Sequence, residues 1–341
     1  MNNKVRIGNG FIGEEYPVYI VAEGGLTNWG DIALAKRQVD AAMAAGADAI
    51  KFQAQTTEAL VSKKVDPYWY SRLKYKELSY NDLRMLKEYC EIRNIDFFVT
   101  SHTEVDLEFI DKDLDIPFFK IGSGESINND FLRNVASRGK PVIVSFGLHK
   151  SVEEIHNSLS IMESEGLIDI VALHCNTIYP TPVDINSLGT ITQLKNQLDC
   201  PIGYSDHTIG LHIPIAAVAL GAKLIEKHLS FDKTDKRSFD CPVSCDPEDL
   251  KQMVKQIRDV EASILPASSN RVDHIIAARG WASQSIVAAK DIPVGKVLER
   301  SDIVFKRPGK GLATGYVHKV LGKKVKKFIE EDTLVLIEDL Y

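Results

Sequence analysis

Over the first 265 residues, short runs rich in β-branched and aromatic residues alternate eight times with amphipathic helical stretches, an order that few folds admit. The runs are VYIVA (18–22), AIKFQ (49–53), DFFVT (96–100), PFFKI (117–121), PVIVS (141–145), IVALH (170–174), PIGYS (201–205) and KLIEKH (223–228). Repeated strand-then-helix units pair as a parallel sheet, and eight is the number at which such a sheet closes into an α/β (β/α)8 TIM barrel. The helical stretches carry their own start signals. Ser79 with Asp82, Thr103 with Asp106 and Ser151 with Glu154 each set a side-chain acceptor before a helix and a carboxylate three residues on, which satisfies free N–H groups of the first turn. Asp246-Pro247-Glu248-Asp249 opens the last helix of the series, and Gly46 ends the first.

The pattern changes near residue 265. LPASSN (265–270) has no apolar period, and a linker is expected over 266–281 between a barrel domain (1–265) and a second domain (282–341). That second domain has short alternating strands split by Pro-Gly turns and no long helical period, so a small, mostly β module is expected. At about 60 residues its core is marginal, and docking against the barrel or a second subunit is expected.

A formal charge of −6 gives no general attraction for a polyphosphate chain, so nucleic acid is not an expected partner. The basic run KKVKK (323–327) has no stacking aromatics beside it and is expected to be a solvated face. The N-terminus has no basic start followed by an apolar stretch, and no run reaches the roughly 18 apolar residues that span a bilayer, so no membrane role and a cytoplasmic location are expected. Five cysteines without paired spacing argue against a disulfide framework or a zinc knuckle.

In a barrel of this kind the C-terminal strand ends converge on one face, and reacting groups sit there. Lys51 ends the second run, Lys120 lies in the fourth, and Ser123 stands between Gly122 and Gly124, so charge and accessible backbone N–H groups point to an anion such as phosphate. His207 in GYSDHT and His228 in LIEKHLS fall on consecutive strands beside Glu23 of AEGG. Two neutral imidazoles with oxygen ligands suit a six-coordinate divalent ion such as Mn²⁺. Glu125 and Glu23 must be paired with the lysines or do acid–base work. His174, Asn176, Thr177 and Tyr179 in LHCNTIYPTP supply hydrogen-bonding groups on a proline-fixed loop, suited to a polar ligand or to a packed turn.

Seven motifs in order, AEGG, GADAIKFQ, FKIGSGE, HCNTIYPTP, GYSDHT, GAKLIEKH and KRPGKG, resemble the sialic acid synthases with a C-terminal antifreeze-like (SAF) domain. That resemblance implies condensation of phosphoenolpyruvate with an open-chain N-acylated hexosamine, N-acetylmannosamine or a related amino sugar of the legionaminic or pseudaminic routes, giving a nonulosonic acid and phosphate. It implies Mn²⁺ (with Mg²⁺ or Co²⁺ as substitutes) on His207 and His228, with Glu23 near the reacting carbon and Glu125 in the same pocket. It assigns Lys51, Ser101, Lys120, Ser123, Ser145, Thr177 and Ser205 to phosphoenolpyruvate, and Gln53, Tyr179, Asp240 and Arg307 to the sugar. It also implies a homodimer whose SAF domain covers the partner's barrel mouth.

The chain departs from the family pattern at Ser238-Phe239-Asp240-Cys241, where relatives often read Gly-Pro-Asp-His, at Asn176-Thr177, at Gly280-Trp281, and in a short segment from Thr57 to Leu78. Most of these departures fall on the sugar side. Two rival readings are a Schiff-base aldolase using Lys120, which leaves the histidine pair unused, and a non-catalytic SAF-domain interaction protein.

Overall fold

The computed structural model describes residues 1–265 and 269–341, and the chain divides into two compact units, Met1–Ile264 and Leu265–Tyr341. The first unit opens with an antiparallel hairpin, β1 (Lys4–Ile7) and β2 (Gly10–Gly13). Eight parallel strands follow: β3 (Tyr19–Glu23), β4 (Ala49–Ala54), β5 (Asp96–Ser101), β6 (Phe119–Ile121), β7 (Val142–Ser145), β8 (Ile170–Cys175), β9 (Ile202–Asp206) and β10 (Leu224–His228). They form a closed barrel in which β10 pairs with β3. Apart from Gln53 and Asp96 every residue of these eight strands is buried, as expected of a sheet covered by helices outside and filled by side chains within.

The helix starts follow their caps. Ser79 accepts from the Asp82 N–H while Asp82 reaches back to the Ser79 N–H, closing a capping box on Tyr80–Arg93. Thr103 and Ser151 accept from the N–H groups of Asp106 and Glu154, and Asp246 accepts from that of Asp249. Gly46 ends the helix Ile32–Ala45 in the left-handed region at φ 82°.

The hairpin was not anticipated from the sequence. Its turn is pinned to the N-terminal strand ends: the Asp96 carboxylate accepts from the Asn9 N–H and side-chain amide and from the Tyr19 hydroxyl. Gly8, at φ +53°, lies so close to Asp96 that a Cβ there would collide with the carboxylate.

In the second unit, β11 (Ser285–Ala288) and β12 (Ile303–Lys306) pair antiparallel over a core of Ile286, Ile292, Leu298, Ile303, Val320 and Val335. Of the stretch 266–281, residues 266–268 lie outside the described residues, and a helix runs over Ser269–Ala282. Val272, Ile275 and Ile276 on that helix are exposed, so no buried apolar stripe marks it in the sequence. In KKVKK, Val325 enters the core while the flanking lysines face outward, Lys327 pairing with Asp339 at 2.7 Å.

Candidate active site at the barrel mouth

The strand register sets Glu23 between His228 of β10 and Lys51 of β4, and sets Glu226 beside Ser205 of β9. Alternation along a strand gives Glu226 and His228 the same inward face, since they are two residues apart. Lys51 Nζ forms ion pairs with Glu23 and, at 3.3 Å, with Glu226, and donates to Thr100 Oγ1 at 2.9 Å. Ser205 Oγ donates to Glu226 Oε1 at 3.0 Å, and Gln53 Nε2 to Glu23 Oε1 at 3.4 Å.

These groups divide their charge unequally. Burial raises the pKa of Glu23 more than Lys51 lowers it. Burial acts on Glu226 in the same sense but is outweighed by Lys51, Lys120 and His228, so Glu226 is held below the usual carboxylate range. For Lys51, burial works against the charged form, yet Glu226 and Glu23 together raise its pKa.

On the opposite wall, Lys120 Nζ donates to Ser145 Oγ at 2.7 Å and to the Ile121 carbonyl at 2.9 Å, and burial lowers its basicity. Ser123 Oγ accepts from the Gly147 N–H at 3.0 Å. A Cβ on Gly147 would run into Thr177 Oγ1, would lie 2.7 Å from Ser123 Oγ and 3.1 Å from Cys175 Sγ, so the missing side chain leaves a small polar cradle between three strand ends. Ser101 is placed differently. Its hydroxyl donates to the Thr103 carbonyl at 3.0 Å, in the turn before the next helix, and the hydroxyl on Lys51 is that of Thr100.

His207 follows β9 on a loop fixed by Asp206, whose carboxylate accepts from Tyr204, from the N–H and hydroxyl of Thr208, and from Lys227 at 2.5 Å. The Nδ1 of His207 lies 2.6 Å from the Asn176 carbonyl, which can only accept, so this nitrogen carries the proton and Nε2 keeps its lone pair. The rings of His207 and His228 lie 5.3 Å apart, and His228 Nδ1 is buried with no partner. Burial lowers the pKa of His228, against the opposing charge of Asp240, and favours the neutral ring. A Cβ on Gly25, whose φ is +46°, would lie 3.0 Å from Glu23 Oε1 and 3.2 Å from His228 Nδ1, which puts both atoms beside one gap.

Asp240 Oδ2 is also buried without a partner. Glu125 Oε2 lies 3.1 Å from His102 Nδ1, and Glu125 and Gln53 share the wall of a cavity of about 490 Å³. His174 turns away from the mouth: its Nε2 bonds the Asn186 carbonyl at 2.9 Å and its ring stacks on Tyr204. Arg307 belongs to the second unit, where it is exposed directly after β12.

Two imidazole nitrogens thus stand ready as ligands, His228 Nδ1 because nothing meets it and His207 Nε2 because only a hydroxyl does. Among the described residues no group of three or more His, Cys, Asp or Glu side chains is arranged to hold a metal, which fits a pair of protein ligands completed by oxygens from outside. Glu226 and Thr100 join the site although sequence reasoning did not single them out. The signal for Glu226 was its two-residue spacing from His228.

Comparison with known proteins bears on this architecture as a whole. The family model described as "NeuB family" matches residues 38–267, and the SAF domain model matches 283–340. The N,N'-diacetyllegionaminic acid synthase of Campylobacter jejuni is 34% identical over 336 residues, covering 93% of this chain and 98% of that protein. The human N-acetylneuraminate-9-phosphate synthase is 32% identical over 342 residues, covering 96% and 94%. The crystal structure of N-acetylneuraminic acid synthetase from Leptospira borgpetersenii, in complex with citrate, superposes with a TM-score of 0.74 at 33% identity over 82% of this chain and 97% of that one. These matches place the chain in the family of sialic, legionaminic and pseudaminic acid synthases. The chain belongs to the NeuB family.

Proposed function

We propose that this chain condenses phosphoenolpyruvate with the open-chain form of an N-acylated amino sugar, releasing phosphate and a nonulosonic acid. The observation that carries the reading is the pairing, on one barrel mouth, of the Lys120–Ser123–Gly147–Thr177 cradle with two imidazoles, His228 with an unpartnered Nδ1 and His207 with an Nε2 that meets only the Tyr179 hydroxyl. Lys120, oriented by Ser145, and the Ser123 hydroxyl, whose oxygen is fixed by the Gly147 N–H, bind anionic oxygens, and Lys51 neutralises further charge. His207 and His228 would hold a divalent ion, Mn²⁺ first among candidates, which when bound supplies Lewis-acid polarisation of the sugar's aldehyde oxygen.

Carbon 3 of phosphoenolpyruvate then attacks the aldehyde carbon, and the aldehyde oxygen becomes a hydroxyl by taking up a proton. Water adds at carbon 2, and phosphate departs with its bridging oxygen to leave the 2-keto acid. Glu23, buried and with a raised proton affinity beside His228, is positioned to hold a proton at its carboxylate during this exchange. Gln53 and Glu125, which line the cavity of about 490 Å³, would meet the sugar together with Tyr179 and Asp240. In a homodimer the SAF domain would bring Arg307 to the partner's barrel mouth.

The test is phosphate release with mass spectrometry of the product, using phosphoenolpyruvate and candidate amino sugars. Activity should vanish with chelator, return with Mn²⁺, and be absent in His207→Ala and His228→Ala. A borohydride-trapped pyruvate adduct on Lys120 would instead establish the imine chemistry of an aldolase. Mixing inactive His207→Ala with inactive Arg307→Ala should restore turnover if the SAF domain is shared between subunits.

A further inference from the structure

Each imidazole of the pair is preceded in sequence by one half of a buried ion pair, Asp206 before His207 and Lys227 before His228. The two partners face each other in the register of β9 and β10, and Lys227 Nζ lies 2.5 Å from Asp206 Oδ2. Because Ser205 bonds Glu226 inside the barrel, strand alternation turns Asp206 and Lys227 to the outer face, beneath the helices. Both side chains are enclosed there, Asp206 at 0% exposure and Lys227 at 1%, and the register neighbour of Lys227 on its other side is Ala22 of β3.

Burial of two charges is a poor source of stability, since an apolar pair of similar size in the same place holds a fold as well or better. What the charges add is direction. The Lys227 ammonium donates a second bond, of 2.7 Å, to the Thr208 carbonyl, while Asp206 Oδ1 accepts from the N–H and hydroxyl of Thr208 and from Tyr204. The residue before His228 thus grips the residues on both sides of His207. We propose that Lys227 and Asp206 are positioning residues for the divalent ion: their ion pair fixes His207 relative to His228, with the rings 5.3 Å apart, so that Nε2 of one and Nδ1 of the other meet a single cation.

This role rests on the reading of the two imidazoles as a metal pair, and it is exercised through them rather than by contact with substrate. Lys227→Met alone leaves the Asp206 carboxylate buried and unpaired, which destabilises the fold. With Asp206→Asn added the pair is neutral, and the asparagine oxygen still accepts from Tyr204 and Thr208. The loop after β9 then keeps its own bonds but loses its tie to β10.

Calorimetric titration of the full chain with Mn²⁺, run beside a thermal melt, separates position from stability. The double variant, Asp206→Asn with Lys227→Met, should melt near the parent and bind Mn²⁺ about 10-fold more weakly, as when a group that orients a metal ligand is removed. Asp206→Asn alone, which keeps the bond from Lys227 to Thr208, should lose about 3-fold. Asp302→Asn, in the second unit, is the control for lost stability, and its Mn²⁺ affinity should match the parent's. Without metal, NMR of nitrogen-labelled histidines should show His207 protonated at Nδ1 in the parent and exchanging between tautomers in the double variant. Equal Mn²⁺ affinity in the parent and the double variant overturns the positioning role, as does an equal loss in Asp302→Asn. If the double variant does not fold, an unchanged Kd in Asp206→Asn overturns it instead. Failure of the parent to bind Mn²⁺ removes the metal reading, and an unaltered His207 tautomer in the double variant then removes the positioning of the ring as well.

Discussion

The Tyr179 hydroxyl lies 2.8 Å from Nε2 of His207, on the one nitrogen of that ring whose lone pair the Asn176 carbonyl leaves free. The phenol and an incoming cation therefore compete for the same electrons. Tyr179→Phe should tighten Mn²⁺ binding in the absence of substrates by about 5-fold, the worth of one hydrogen bond of roughly 1 kcal/mol. Calorimetric titration of both proteins with Mn²⁺ reads this directly, and weaker binding in the variant would mean that the hydroxyl supports the metal rather than opposing it.

Gly147→Ala places a methyl group among Thr177 Oγ1, Ser123 Oγ and Cys175 Sγ, in the space assigned to an anion. The variant should fold, because nothing about the backbone there requires glycine, and its kcat/KM for phosphoenolpyruvate should fall about 100-fold, or roughly 3 kcal/mol of lost anion stabilisation. Steady-state kinetics alongside a circular dichroism melt separate the two effects.

Lys120 must be protonated to hold an anion, and burial lowers its pKa from 10.5. The group therefore loses its proton at a lower pH than a free lysine would. The kcat/KM for phosphoenolpyruvate should decline on the alkaline side, beginning below the usual lysine range. Lys120→Arg keeps its charge at every accessible pH, so a variant that retains activity should lose that limb of the profile.

In the second unit, burial would raise the Asp302 carboxyl, but Lys296, the Glu299 N–H and Lys290 bring it from 3.8 down to about 2. A folded value below the unfolded one means stability that is present above about pH 4 and is lost as pH falls through about 2. Lys290 and Lys296 are partly in water, and screening reduces the contribution to about 1 kcal/mol. Asp302→Asn should lower stability by that amount at pH 7, with the gap to the parent closing between pH 4 and pH 2 in thermal unfolding.

The barrel strands were legible because burial on both faces turns each into a continuous apolar run, and the helix caps between them could be read from single residues such as Ser79 and Asp246. The histidine pair and the two lysines were legible because strand ends converge on one face of such a fold. Thr100 and Glu226 escaped notice because residues i and i+2 share a face only once the strand's orientation is fixed. Ser101 looks equivalent to Thr100 in sequence, but its hydroxyl goes to Thr103, a choice made by where β5 ends. The hairpin over residues 4–13 is too short to announce itself by period, and its anchor, Asp96, is about 90 residues away in sequence.

Inside the barrel, Lys51 serves Glu23 and Glu226 at once. A substrate anion drawn toward that ammonium must share it, and the carboxylate with the weaker hold on its ionised form gives way first. Glu23, whose proton affinity burial raises, is that group, so an anion that claimed the shared ammonium would leave Glu23 the more readily protonated of the two carboxylates.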